Sequence, residues 1–150
     1  MRRKYLPLIL VLLVMFFGTS NVGAHCEVPC GIYDDEMRVR MIAEHITTIE
    51  KAMTQITQLQ SQKPTNDNQL TRWVMNKEYH ANEVQQIVAQ YFMTQRIKLD
   101  AVKYSDKVTL LHKILVYAMK CKQTTDLTHI TTLRSLLKEF QGIYFGGSHK

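Results

Sequence analysis

A chain of 150 residues with 45% hydrophobic and 21% charged side chains has apolar matter for one globular core, and it carries no internal repeat and no low-complexity tract. Its formal charge of +6 falls to +3 without Arg2, Arg3 and Lys4. That is too mild and too dispersed to mark a nucleic-acid partner, although such a field modestly favours a small anion.

In chain order, the first 24 residues stand apart. Met1 to Lys4 is basic, Leu6 to Phe17 is apolar except for Pro7, and Gly18 to Ala24 is small and polar, which is the three-part layout of a secretory signal peptide. The apolar run is about 12 residues, short of the roughly 20 that span a bilayer, so no stable membrane anchor is expected once it is removed. Val22-Gly23-Ala24 places small residues at the cleavage point. The chain is therefore expected to divide into a signal peptide, 1–24, and a mature domain, 25–150, that begins at His25 and is exported to the periplasm or the medium.

The new terminus carries the chemistry. His25-Cys26-Glu27-Val28-Pro29-Cys30-Gly31-Ile32-Tyr33 gathers an imidazole, two thiols and, after cleavage, a free α-amine within six residues. The amine, the Cys26 amide nitrogen and the Cys26 sulfur can close adjacent chelate rings on one ion. Cys30 can return across a turn set by Pro29 and Gly31 to complete a square of two nitrogens and two sulfurs. Such a plane suits Ni(II) or Cu(II), because Zn(II) prefers a tetrahedron. Two thiolates and an amide anion bring Ni(III) within reach, with the His25 imidazole as an added axial ligand. Read from the two cysteines alone, a Cys26–Cys30 disulfide in an oxidising compartment is the simpler outcome, and His25 at the cleavage point turns the reading toward a metal.

Four helices are expected after this segment. From Glu36 onward Val39, Ile42, Ile46, Ile49, Met53, Ile56 and Leu59 step by threes and fours. A polar break over Gln62–Asn68, containing Pro64, precedes a second helix from about Gln69 to Arg96, with Leu70, Trp73, Lys77, Ala81, Val84, Val88 and Tyr91 on its face. Ser105 is the expected N-cap of a third helix with two adjacent apolar faces, one of Val108, Leu111, Leu115 and Ala118 and one of Leu110, Ile114, Tyr117 and Cys121. Asp126 is the expected N-cap of a fourth, with Ile130, Leu133, Leu137 and Phe140, before Gly142, Gly146 and Gly147 loosen the C-terminus. Strand signals are missing. The fold class is all-α, an up-down-up-down four-helix bundle preceded by an N-terminal metal-binding hook.

The remaining candidates read as structural. His45, His80, His112, His129 and His149 show no clustered ligand spacing. Cys121 lies on an apolar helix side and reads as a buried free thiol. The eight methionines read as core filling.

The segment His-Cys-x-x-Pro-Cys-Gly-x-Tyr, opening a mature helical chain, resembles the nickel hook of nickel superoxide dismutases. Ile46 to Met53, Arg72 to Lys77 and Tyr91-Phe92 also resemble segments of that family, so the resemblance covers the mature chain. It implies one nickel ion per subunit held by His25, Cys26 and Cys30 within a hook at 25–33. It implies a four-helix bundle assembled as a homohexamer, and disproportionation of superoxide to dioxygen and hydrogen peroxide. It also implies Tyr33 at the open metal face, where a phenol orders water or the incoming anion, and Tyr91 as a second tyrosine close by. One departure stands out. The family braces its axial imidazole with a carboxylate and an arginine, and those positions fall here near Ile42 and His80, with Glu44 and Glu78 as the acids that could stand in. Two other classes compete: an exported nickel- or copper-binding or delivery protein without turnover, and a structural bundle stapled by a disulfide.

Overall fold

The computed structural model describes residues 29–146. The expected signal peptide and the residues His25 and Cys26 lie outside the described residues. By its contacts the chain divides between Cys30 and Gly31, and the bundle belongs wholly to the second part.

Helix α1, Asp35–Ser61, starts where Asp34 Oδ1 accepts the Met37 N–H at 2.8 Å, with Asp35 and Glu36 in the first turn facing the positive end of the helix dipole. Its buried side chains are Val39, Ile42, Ile46, Ile49, Ala52, Met53, Ile56 and Leu59, so every position of the expected stripe is inside. Helix α2, Asp67–Gln86, is capped by Asn66, whose Oδ1 accepts the Gln69 N–H at 3.2 Å.

Where the apolar pattern leads one to expect α2 to continue unbroken to Arg96, the chain rewinds. Residues Ile87–Arg96 form a ten-residue π-helix, here called π1. Side chains reinforce the wider winding, with Thr94 Oγ1 donating to the Ala89 carbonyl at 2.8 Å and Gln95 Nε2 to the Gln90 carbonyl at 3.0 Å, each five residues back. Such segments are rare and concentrate at functional sites. An α-helix would turn Tyr91 and Arg96, five residues apart, by about 140° from one another. Five-residue bonding sets them nearly in line, and both reach the same carboxylate.

Helix α3, Tyr104–Gln123, begins one residue before Ser105. Its N-cap is Lys103, held at φ 57°, so the expected Ser105 cap is inside the first turn. Helix α4, Thr128–Phe145, follows Asp126, whose Oδ1 accepts the Thr128 N–H at 2.9 Å. Asp126 thus does the capping chemistry expected of it although regular winding starts two residues on. The helix also runs through Gly142, because Ile143, Tyr144 and Phe145 still pack on the core.

Each helix packs on its neighbours in chain order, and α4 returns to α1. Connections this short between packed helices require antiparallel neighbours, giving the four-helix bundle. No helix of the described residues is long and apolar enough to cross a membrane.

One charged side chain enters the core. Lys77 is 4% exposed, and its Nζ donates to the Cys121 carbonyl at 2.8 Å and to the Lys122 carbonyl, closing the otherwise unpaired end of α3 from α2. Lys77→Met keeps the apolar stem and removes the donor. We expect it to lower the unfolding free energy by about 1–3 kcal/mol in chemical denaturation, the range for stranding buried polar groups. A loss below about 0.5 kcal/mol would mean that water reaches those carbonyls.

Candidate functional site: an aspartate-centred cluster at the root of the metal segment

Residues 29–31 form a bend, with Gly31 at φ 81°. A Cβ there would meet nothing within 4 Å, so the backbone and not crowding selects glycine. Cys30 carries a free thiol and is exposed. It is the one residue of the expected ligand set within the described residues. An exposed free thiol is the form that a soft metal ligand requires. Cys121 is the opposite case. It is fully buried, and burial pushes its thiol up to about 11 against the nearby charge of Lys77, which leaves it inert.

Tyr33 stands three residues after Cys30 and is 38% exposed. Its ring meets Tyr91 edge-on with centroids 5.8 Å apart, and the Arg96 guanidinium carbon lies 4.4 Å from its centroid. Tyr91 is 3% exposed, and its hydroxyl donates to Asp35 Oδ1 at 2.6 Å. The two tyrosines that the sequence singled out are therefore in contact with one another.

The group that organises them was not a sequence candidate. Asp35, the first residue of α1, accepts from Tyr91 and from Arg96 Nε at 2.7 Å on Oδ1. On Oδ2 it accepts from Arg96 Nη2 at 2.7 Å and from the Tyr144 hydroxyl at 2.8 Å. Burial works to raise the Asp35 carboxyl, but the hydrogen bonds from Arg96, Tyr91 and Tyr144 outweigh it and hold the group below the usual carboxylate range. The two phenols shift the other way. Burial, then the bond to Asp35, raises Tyr91 well above an ordinary phenol and pushes Tyr144 up to about 12. Both stay neutral at physiological pH.

Beneath this cluster Phe92 touches Tyr91, Phe140 and Tyr144 edge-on, at 5.1, 5.2 and 5.5 Å between centroids. The Arg38 guanidinium carbon lies 5.1 Å from the Tyr91 ring centroid.

Among the described residues no three His, Cys, Asp or Glu side chains converge as a metal site.

A family model for nickel-containing superoxide dismutase matches residues 20–147, nearly the whole chain. The chain belongs to that family. No curated protein and no solved structure matches it. As a nickel superoxide dismutase it is an oxidoreductase, with nickel as its metal and superoxide as its substrate.

The departure noted in the sequence takes physical form on this dismutase bundle. Ile42 is 0% exposed in the core, so no carboxylate can stand there. Glu78 turns instead to Lys77 and Lys122, at 3.4 and 3.7 Å. His80 faces His45, with the two Nδ1 atoms 2.7 Å apart, so one must donate and the other accept. Their positions 35 apart in sequence hid this pairing, which ties α1 to α2 and leaves the two as structural histidines.

Burial, and next the neighbouring His80, hold the His45 imidazole below the usual histidine range, against the opposing pull of Glu83 and Glu44. The unfolded chain then takes up this proton more readily than the folded one. Stability is complete above about pH 6.5 and declines as the pH falls through it. Denaturation midpoints measured from about pH 7.5 to pH 5 should drop in the native sequence and flatten in His45→Gln. Equal slopes for the two proteins would sink this account.

Proposed function

We propose that the mature protein begins at His25 and that His25, Cys26 and Cys30 hold one nickel ion per subunit, with Tyr33 at the open face. The observation that carries this reading is the family match over residues 20–147. The exposed free thiol of Cys30 and the Tyr33–Tyr91 pair support it.

The His25 α-amine and the Cys26 amide would supply nitrogen donors, Cys26 and Cys30 two thiolates, and the His25 imidazole a further nitrogen. Cleavage after Ala24 is integral to this reading, because an uncut chain offers an amide where the amine must be. The chemistry supplied by a bound nickel is a Ni(II)/Ni(III) couple, by which one superoxide loses an electron to give dioxygen and another gains it, with two protons, to give hydrogen peroxide.

The chain's own part is to admit and order a small anion. Tyr33 follows Cys30 by three residues, so backbone geometry keeps their Cα atoms within about 11 Å. Its phenol can donate to an anion, its ring narrows the approach, and the guanidinium of Arg96 on the ring adds positive potential. We also propose export to the periplasm or the medium, and assembly as a homohexamer.

The test is N-terminal sequencing and metal analysis of protein purified from its export route, with superoxide consumption measured on the same sample. A His25 start, one nickel per chain and turnover are expected. A different start sinks the ligand assignment, and nickel or copper bound without turnover supports a binding or delivery protein.

A further inference from the structure

Asp35 lies outside the hook motif and contributes no expected ligand, yet four donors from two elements converge on it: the Tyr91 hydroxyl and two guanidinium nitrogens of Arg96 from π1, and the Tyr144 hydroxyl from α4. A carboxylate offers about four lone-pair sites, so these bonds fill it. All are charge-assisted and short, which fixes direction as well as distance.

Two consequences follow for the tyrosines. The proton of Tyr91 is committed to Asp35, so the Tyr91 oxygen can accept a hydrogen bond from water but has none to give an anion. The Arg96 fork, held flat by Asp35, sits against the Tyr33 ring and sets its plane. One carboxylate therefore controls Tyr91 directly and Tyr33 through Arg96.

We propose that Asp35 is a positioning residue of the dismutase, which reserves Tyr91 as an acceptor and leaves Tyr33 as the tyrosine whose hydroxyl meets the incoming anion. The proposal rests on the dismutase reading above and adds to it a division of labour between the two phenols. Charged and titratable groups facing Tyr91 are Asp35 and Arg38 from α1, Arg96 on its own segment, Tyr144 from α4, and Tyr33 and Asp34 before α1, Asp34 through its backbone. From α3, Lys107 reaches the Tyr144 ring at 5.4 Å. With Asp35 neutralised, the positive groups remain and the negative charge that favours the neutral phenol is gone.

The experiment follows tyrosinate absorbance against pH on the processed, nickel-loaded chain, for the native sequence, Asp35→Asn, and Asp35→Asn with Tyr91→Phe. In Asp35→Asn one tyrosine should ionise at least about one pH unit lower than in the native protein, and adding Tyr91→Phe should erase that change. Superoxide turnover in Asp35→Asn should fall about tenfold at unchanged nickel content. A parallel pair keeps the test decisive if Asp35→Asn does not fold: Tyr33→Phe should lose more turnover than Tyr91→Phe. Native-like tyrosine titration in folded Asp35→Asn, or a larger loss in Tyr91→Phe than in Tyr33→Phe, overturns the proposal. A native chain that binds nickel and consumes no superoxide sinks the dismutase reading instead, and the titration still decides whether Asp35 holds Tyr91.

Discussion

Serine at position 30 is expected to abolish superoxide consumption, by on the order of a hundredfold or more, while leaving the helices intact. A serine hydroxyl is not ionised near neutral pH and is a hard donor, so it cannot replace the charge that a thiolate gives to a nickel site. Loss of one of four planar donors should also lower nickel retention through dialysis, read by metal analysis. The bundle should not notice. Cys30 is exposed and lies outside the second part of the chain, so the denaturation midpoint should shift by no more than about 0.5 kcal/mol equivalent. This separation of readouts makes the variant informative. A Cys30→Ser protein that keeps nickel and turnover removes Cys30 from the ligand set, and one that loses nickel by unfolding says that the segment is structural.

Phe92→Ala carries the largest expected effect on stability. Phe92 is 0% exposed and touches three aromatic rings, Tyr91, Phe140 and Tyr144. Removing the ring forfeits its burial and three edge-to-face contacts and leaves a void that rigid neighbours cannot fill. The expected loss is about 3–5 kcal/mol, a large part of the roughly 5–15 kcal/mol by which such domains are stable. Phe92→Leu, which keeps most of the volume, should lose about 1.5 kcal/mol or less. Urea denaturation of the two variants decides it. Equal, small losses would mean that the ring is not a packed support. Because Tyr91 and Tyr144 both lean on Phe92 and both bond Asp35, the alanine variant should also loosen the tyrosine pair.

The features that could be read from sequence are those whose cause is local. The 3–4 spacing from Val39 to Leu59 dictates one buried face whatever lies opposite, and α1 buries that face. The hook motif is nine residues long, and its turn at Gly31 requires only that residue's own backbone freedom. What escaped the sequence depends on distant parts. Asp35 gathers partners 56, 61 and 109 positions away, and nothing in the spacing of an aspartate at a helix start distinguishes it from a dipole-facing charge. The His45–His80 contact arises from α1 and α2 lying side by side, a relation that neither helix's own pattern encodes. The π-winding escaped because Ile87, Val88, Tyr91 and Phe92 are buried in a pattern an α-helix also satisfies. The one available hint was the tyrosine and arginine five apart.

That winding has a consequence of a different kind. The alignment of Tyr91 with Arg96 on one carboxylate is a matter of how many residues lie between them, and not only of which residues they are. Removing any single position from 92 to 95 would bring Arg96 four residues from Tyr91, a spacing that an α-helix already stacks, and the segment could then relax to the commoner geometry with its downstream link shortened. The length of this stretch therefore matters to the cluster as much as the identity of its side chains. An alignment column that counts residue identity alone would pass over the variable that sets the site.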